Sequence, residues 1–556
     1  MHDAHAHDHD HPIDPHVHER RWLILAVLCL SLMIVIIGNT ALNVAIPTLA
    51  RELDASTTDL QWMVDAYALV FAGMLFTAGT LGDRFGRKGA LQGGLVLFMV
   101  GTLLAAFADS STTVIGARAV MGLAAAFVMP STLSLLTNVF PPEERPKAIA
   151  VWAGISGGGA ALGPIASGFL LEHFWWGSVF LVNVPVLVLA LVAGKVLVPT
   201  SRDPEQPPLD IPGALLSIAG LSALVYAIIE GPLKGWSSTE TVVTFAAAAV
   251  LLVLFALREL NARHPMLDLR YFRDRRFSAA SGGITMIFFA MFGTFFLVSQ
   301  YFQLVLGYSP LEAGLLQLPM GVVMMAVSPQ VPRLVGRFGA RTVVPAGLST
   351  VAVGLFAFSL VGVDTLVWLV LLPALLLASG MALSMTPLTT LIMSAVPVTK
   401  AGVGSAMNDT TRELGGALGV AVLGSVVTST YAGRLSGALE GLPDQARAVA
   451  ESGLTGAFFV ADEMGAGGET LVAAAKQAFV DGLSLAAIIG GIVVALVAVL
   501  VRRGLPAHVA GPVAEPAARD MGDEPDPTFP VAGPPHDDEP SHEDGDPRPS
   551  VAGSPV

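Results

Sequence analysis

The feature that most constrains this chain is a series of apolar runs of about 20 residues, which recur from Trp22 almost to Arg502. Because an α-helix rises about 1.5 Å per residue, such a run can cross about 30 Å of hydrocarbon. Only 13% of the residues are charged, whereas soluble proteins carry roughly 25%. The sequence therefore predicts an all-α polytopic membrane protein.

We count fourteen candidate spans in the sequence. They occupy residues 22–46, 60–81, 90–108, 113–137, 148–171, 178–198, 211–230, 240–257, 278–302, 311–332, 342–361, 366–392, 402–430 and 476–501. With the N-terminus inside, lysine and arginine crowd the cytoplasmic segments, and the short outside loops hold only Arg51 and Lys234. Because cytoplasmic loops are enriched in these residues, the sequence predicts a multi-pass protein of the cell membrane with both termini in the cytoplasm.

Several classes of function lack their sequence signals. The single cysteine, Cys29, lies in an apolar run, so neither a disulfide framework nor a zinc site is available. No G-x-x-x-x-G-K-[ST] motif occurs, which argues against an ATP motor within this chain. The spans hold no nucleophile–base pair, so an enzyme is not expected. No cofactor, resident metal, nucleic acid or obligate protein partner is indicated.

A short charged loop follows the second span and reads G-T-L-G-D-R-F-G-R-K. Its candidate functional residues are Gly79, Gly82, Asp83, Arg84, Gly86, Arg87 and Lys88. Glycine permits sharp turns and close helix approach, and Asp83 can accept from N–H groups at a helix start or pair with Arg87. Such a cluster can latch helix ends in one conformation and release them in another. The loop RLVGRFGARTV after the tenth span is similar, as expected for related halves of a secondary transporter.

This charged loop resembles the signature loop of the major facilitator superfamily. Arg118 in IGARAVMGLAAAF resembles the fourth-helix arginine motif of that family. The stretch SGGGAALGPIASGFL resembles the fifth-helix motif of its antiporters and contains Gly159, Gly163, Pro164 and Gly168. The stretches TALNVAIP, QWMVDAYALVFAG, FWWGSVFLVNVP, QYFQLVLGYSPLEAGL and GVGSAMNDTTRELGGALG resemble the fourteen-span drug:proton antiporters. Within that group the likeness is closest to exporters of quaternary ammonium compounds and other multidrug pumps.

The sequence departs from the family pattern in two places. Gly38 and Asn39 stand where many members carry an aspartate in the first span, and Trp176, Gly177 and Ser178 stand where many carry Trp-Arg-Trp. The first departure puts in doubt any proton-coupling scheme that uses a span-1 acid.

The resemblance implies the major facilitator fold, in which two six-helix bundles flank two inserted helices. The expected divisions are a disordered His-rich cytoplasmic tail at 1–21, the N-terminal bundle at 22–198, the inserted helices with a basic cytoplasmic loop at 199–277, the C-terminal bundle with a long outside loop (431–475) at 278–501, and a disordered acidic cytoplasmic tail at 502–556. The near-alternating histidines of the first tail can bind Zn²⁺ or Ni²⁺ weakly. That tail is therefore either a weak metal binder or merely disordered.

Asp65 lies about five residues inside the second span. A carboxylate at mid-span costs at least about 2.5–3 kcal/mol, so such a group usually faces a cavity or a partner. It is either a group that alternately holds a proton and a cationic substrate, or a structural acid that caps a neighbouring helix. Candidate substrate contacts are Trp62, Tyr67, Asn39 and Asn43. The two aromatic rings could instead anchor the membrane interface.

Arg118 lies at a similar depth in the fourth span, where a guanidinium needs a counter-charge or a watery cavity. In the thirteenth span, Asp409 and Glu413 share a helix face because they are four residues apart, and Arg412 lies three residues beyond Asp409. These two acids and one base form either a second proton or cation site or an internally neutralised cluster. The candidate coupling residues are Asp65, Arg118, Asp409, Arg412 and Glu413.

Three functions stay open on the sequence. The first is proton-coupled efflux of amphipathic, cationic drugs, with two bundles rocking around a midplane cavity. On this hypothesis Asp65→Asn should abolish pH-driven efflux, and the partners are lipid, protons and a small amphipathic substrate. The second is a narrow exporter of one metabolite or antibiotic, which the missing span-1 acid favours. The third is a membrane sensor that does not transport.

Overall fold

The computed structural model describes residues 15–204, 208–262 and 264–505. Within these residues, fourteen helices are long and apolar enough to cross a membrane, and no strand occurs. The predicted all-α class and the predicted number of spans are confirmed.

The N-terminal bundle is formed by helices α1 to α7, and its sixth span consists of the short α6 followed by α7. The bounds are α1 (Pro15–Glu52), α2 (Thr57–Phe85), α3 (Arg87–Ala106), α4 (Ser111–Val139), α5 (Arg145–His173), α6 (Ser178–Leu181) and α7 (Asn183–Leu197). Helix α1 packs on α5 and α7, and α4 packs on α2 and α3. Helix α2 begins with a capping box, in which Ser56 and Asp59 satisfy each other's backbone N–H groups.

Two inserted helices follow, α8 (Ile211–Lys234) and α9 (Thr239–Asn261). The C-terminal bundle contains α10 (Arg275–Gln300), α11 (Pro310–Val327), α12 (Val331–Phe338), α13 (Ala340–Phe358), α14 (Val367–Ser394), α15 (Ala401–Leu435) and α18 (Gly468–Gly504). Helix α10 packs on α15, and α13 packs on α14 and α18. The two bundles meet where α5 lies along α11 and where α2 lies along α15. Helix α8 contacts both α2 and α15, so the insertion touches both bundles.

The end of the predicted N-terminal tail is helical, which corrects the expectation of disorder through residue 21. Helix α1 begins at Pro15, and Arg21 Nε donates to Glu144 Oε2 at 2.7 Å. This hydrogen bond holds the pKa of Glu144 below its ordinary value. The ionic partner lies between α4 and α5, so nothing near Arg21 in the sequence indicates it. Residues 1–14, which hold the alternating histidines, lie outside the described residues.

The segment 431–475, expected as a long outside loop, is folded into helices. Helix α15 continues to Leu435, α16 (Asp444–Glu451) and α17 (Leu454–Met464) follow, and α18 begins at Gly468. Helix α17 packs on α18. Tyr431 Oη donates to the Ala450 carbonyl at 3.1 Å, which ties α16 to the end of α15. This segment is therefore a packed helical hairpin.

The two similar loops of the sequence adopt similar turns in the two bundles. Gly86 ends α2 with φ of +120°, and Gly339 ends α12 with φ of +77°. Both values lie in the region that residues with a side chain rarely adopt. In each loop the arginine two positions before the glycine lies 5.2 Å from the phenylalanine ring that follows it. The repeat seen in the sequence is therefore also a structural repeat.

Candidate functional site

A cavity of about 1150 Å³, including its opening, lies between the two bundles. Its walls come from α1, α2, α4, α5, α10, α11, α14 and α15. Six methionines line it, namely Met129, Met291, Met320, Met324, Met381 and Met385. Because methionine is flexible and polarisable, a wall of this kind can pack against apolar surfaces of different shapes.

Two carboxylates enter this apolar cavity from α15. The side chain of Asp409 is fully buried, and its Oδ1 accepts from Asn408 Nδ2 at 3.3 Å and lies 3.5 Å from Arg412 Nη1. Its second oxygen, Oδ2, is buried and makes no hydrogen bond to any residue that the structure describes. Glu413 also lines the cavity, with no hydrogen bond or ion pair within 4 Å among the described residues. The acidic oxygens are therefore available to a proton or a cation.

Arg412 reaches from α15 across the cavity to the N-terminal bundle. Its Nη2 donates to Ser156 Oγ on α5 at 3.0 Å. Its guanidinium carbon lies 4.7 Å from the centre of the Phe288 ring and 5.3 Å from that of Trp152. The Trp152 ring is held in place because its Nε1 donates to Thr132 Oγ1 at 3.2 Å. Arg412 is thus the basic group that connects the acidic cluster to α5.

Arg118 is buried behind the cavity wall and has no acidic partner within 4 Å in the described part of the chain. Its guanidinium donates to the carbonyls of Met63 (2.9 Å) and Gly38 (3.1 Å) and to Asn39 Oδ1 (3.2 Å). It also lies 4.4 Å from the centre of the Tyr67 ring, which lines the cavity. Gly38 and Asn39, which stand where the family pattern has an aspartate, bind this arginine through carbonyl oxygens.

Asp65 lies on a different face of α2 from the cavity. It is two residues from Tyr67, and two helical residues differ by about 200° around the axis. It faces α8, where Glu230 is close enough for the two charges to interact. Trp62, on the same face, packs against Tyr226 of α8 with ring centres 6.2 Å apart. The structure therefore does not bring Asp65 or Trp62 to the other candidate residues.

The charged loop after α2 binds the start of α15 in the other bundle. Asp83 accepts from the backbone N–H groups of Gly402 (2.9 Å) and Val403 (3.2 Å). Arg87 Nε donates to Asp83 Oδ1 at 2.7 Å, and its Nη2 donates to the carbonyls of Val398 and Thr399. Both side chains are buried. This cluster, Asp83 and Arg87 with residues 398–403, is called the latch below.

The other residues of the loop support the latch. A Cβ built on Gly79 would lie 2.7 Å from the Gly402 carbonyl, so α2 and α15 touch backbone to backbone there. Gly82 lies within the N-terminal bundle, where a Cβ would lie 3.4 Å from the Ala90 side chain of α3. Lys88 Nζ donates to the carbonyl of Lys195 in the last turn of α7, a favourable place for a cation.

The sequence profile described as Major Facilitator Superfamily matches residues 28–420, more than half of the chain. This chain belongs to the major facilitator superfamily. It is 39% identical over 484 residues to the multidrug efflux pump LfrA of Mycolicibacterium smegmatis. This match covers 87% of this chain and 96% of LfrA. It is 35% identical over 488 residues to the methyl viologen resistance protein SmvA of Salmonella typhimurium, covering 86% and 97% of the two chains.

The fold of this major facilitator protein is similar to that of solved transporter structures. One is the crystal structure of a bacterial homologue of the human lysosomal transporter Spinster. The TM-score is 0.56 at 18% identity, and the match covers 88% of this chain and 98% of the other. The expected fold class, two six-helix bundles with two inserted helices, is confirmed.

The fifth-helix motif of this transporter is divided between two interfaces. Gly159 and Gly163 face α1, where a Cβ on Gly163 would overlap Thr40 Oγ1 and lie 3.1 Å from Thr40 Cβ. Pro164 and Gly168 face α11 of the other bundle, and Gly168 lies against Leu311. The motif therefore permits close packing both within one bundle and between the two.

We expect Gly163→Val to destabilise the transporter, because overpacking of this kind costs about 1–3 kcal/mol. Gly116→Val on α4 is the matched control, since a Cβ there meets nothing within 4 Å. Thermal unfolding in detergent should show a lower Tm for the first variant alone. Equal Tm values for the two variants would contradict the close approach of α1 and α5.

The cavity contains functional candidates that the sequence analysis missed. On α10, Phe288, Met291, Phe292 and Phe295 all line the cavity. Their spacing of three and four residues is the repeat of one helix face. This stripe is the signal that could have identified them, although similar stripes also pack against neighbouring helices. The side chain of Asn43, a predicted substrate contact, lies outside the described residues.

Proposed function

We propose that this transporter exports amphipathic organic cations in exchange for protons. The observation that carries the proposal is the cavity itself, whose apolar, aromatic and methionine-lined wall surrounds the oxygens of Asp409 and Glu413. An amphipathic cation needs both the apolar wall and the acidic oxygens, because its apolar body packs on the wall and its charge requires an acid. The names of LfrA and SmvA, a multidrug pump and a methyl viologen resistance protein, support this substrate class.

The charges of the cavity explain why a proton and a cationic substrate would be exchanged. Two ionised carboxylates and one guanidinium leave one negative charge, which a single monovalent cation or a single proton can neutralise. An added proton removes an attraction of about 4 kcal/mol for a cation at 4 Å, if the effective dielectric constant is about 20. Proton binding from outside would therefore lower the affinity for cargo and release it. Asp65, which faces α8, is proposed as a separate proton site that does not touch cargo.

The latch supplies the conformational part of the proposal. When it is closed, Asp83 and Arg87 join the two bundles at one end of the cavity. When it opens, the bundles can separate there and admit cargo. We propose that this end faces the cytoplasm and that both termini lie on the same side, as the distribution of lysine and arginine indicates.

This orientation can be tested with single cysteines in a Cys29→Ser background. Gly89 and Gly437 are exposed, and a side chain added at either position meets nothing within 4 Å. A membrane-impermeant maleimide should label Gly437→Cys in intact cells and should label Gly89→Cys only after permeabilisation. The reverse pattern would contradict the proposed orientation.

The exchange itself is tested in reconstituted vesicles. An imposed pH gradient should drive ethidium against its concentration gradient, and added ethidium should in turn move protons. Transport of a panel of dye cations and neutral antibiotics distinguishes broad efflux from a narrow exporter of one compound. The missing span-1 acid favours the narrow exporter. Ethidium transport without any proton movement would contradict antiport.

A further inference from the structure

The guanidinium of Arg412 contacts one aromatic ring from each bundle. It lies between two aromatic rings, those of Phe288 on α10 and Trp152 on α5, at 4.7 and 5.3 Å from their centres. Cations in such positions are attracted by the ring faces, and more strongly when water is excluded. Arg412 is 8% exposed and Trp152 is fully buried, so this pair of rings is largely dry.

The same place has acidic oxygens that the arginine does not satisfy. Arg412 Nη1 lies 3.5 Å from Asp409 Oδ1, which is the outer limit for a hydrogen bond. Asp409 Oδ2 is buried without any hydrogen bond, and Glu413 has none among the described residues. A guanidinium can bind a carboxylate through two parallel hydrogen bonds. Arg412 does not do so here, and its Nη2 donates to Ser156 Oγ on α5.

We propose that Arg412 is a tethered substitute for the transported cation, which fills the cargo's place between Trp152 and Phe288 when the cavity is empty. The inference rests on the proposed function, since it assumes that cargo carries a positive charge. A planar, delocalised guanidinium resembles the aromatic and quaternary cations that such ring pairs bind. Cargo that enters must push Arg412 out from between the rings and take over its attraction to Asp409 and Glu413.

The position of Arg412 also links the presence of cargo in the cavity to the contact between the two bundles. While it lies between the rings, Arg412 on α15 hydrogen-bonds Ser156 on α5, which adds a contact across the cavity. A free cation between the rings has no covalent connection to α15 and cannot make this bridge. Displacement of Arg412 by cargo therefore removes one contact between the two bundles.

The experiment uses methylguanidinium as the probe and the purified full chain in detergent. Arg412→Ala removes the substitute and leaves the rings and both acids in place. We expect millimolar methylguanidinium chloride to raise the Tm of this variant, while wild type and Arg412→Lys respond to it only as they do to sodium chloride. Arg412→Gln serves as a second variant with the same expectation if the alanine variant does not fold.

A second measurement tests the rings directly. In the Arg412→Ala background, Trp152→Leu should weaken methylguanidinium binding by at least about tenfold, because a cation–π contact is strongest where water is excluded. No stabilisation of Arg412→Ala or Arg412→Gln, or equal stabilisation of wild type, would overturn the inference. These readouts need no transport. Ethidium transport without proton movement would therefore overturn the antiport proposal and leave the proposal for Arg412 unaffected.

Discussion

Replacement of Asp409 by asparagine is expected to abolish pH-driven efflux of a cationic dye and to weaken dye binding by at least about tenfold. The change keeps the shape of the side chain and the contact with Asn408, but it removes one negative charge from the cavity. At about 4 Å and an effective dielectric constant of about 20, that charge attracts a monovalent cation by about 4 kcal/mol. Every 1.4 kcal/mol corresponds to about a factor of ten in affinity, so even partial screening leaves a large effect.

The matched control is Asp65→Asn, which makes the same chemical change in a carboxylate that does not line the cavity. We expect this variant to lose pH-driven efflux, as the hypothesis of proton-coupled efflux predicts, but to bind dye as wild type does. Ethidium fluorescence titration in detergent measures binding, and vesicle assays measure efflux. Normal dye affinity in Asp409→Asn, or equal losses of affinity in both variants, would contradict the assignment of the cavity as the cargo site.

Replacement of Asp83 by asparagine is expected to open the latch and to slow efflux by at least about tenfold. Asp83 accepts two backbone hydrogen bonds from α15 and one from Arg87, and hydrogen bonds to a charged group contribute about 1.5–3 kcal/mol each. An uncharged amide weakens all three and leaves the buried Arg87 without its counter-charge. The conformation in which this end is closed should become rarer, and transport requires that both conformations be visited.

Spin labels at Gly89→Cys and Gly336→Cys, with Cys29 replaced by serine, can measure this opening. Both glycines have free space for a side chain. Gly89 lies in the first turn of α3 and Gly336 in the last turn of α12, beside the two similar turns. We expect the label–label distances to become longer and broader in Asp83→Asn. Arg84→Gln is the control, because it changes a charge in the same loop but its guanidinium lies over Phe85 and not on α15. An unchanged distance distribution in Asp83→Asn would contradict the latch.

Much of the fold could be predicted because membrane insertion makes strong demands on local sequence. In hydrocarbon each span must satisfy its own backbone hydrogen bonds, so a sufficiently long apolar run is a helix wherever it lies in the tertiary structure. The charged loop was also predictable, since Asp83 and Arg87 belong to a motif of fixed spacing. The polar segment before Trp22 and the hairpin between α15 and α18 were not, because they are ordered by contacts with distant residues such as Glu144.

The sequence by itself determined the number of spans, the helical class, the repeated turn, and the short list of ionisable groups that lie inside the spans. It could not determine which of those groups share a cavity, because that depends on how each helix is rotated about its axis. Asp65 and Tyr67 are two residues apart, yet only Tyr67 faces the cavity, while Asp409, Phe288 and Trp152 come from three helices and surround Arg412. Helix rotation is decided by packing against neighbours far away in the chain, and only the tertiary structure contains that information.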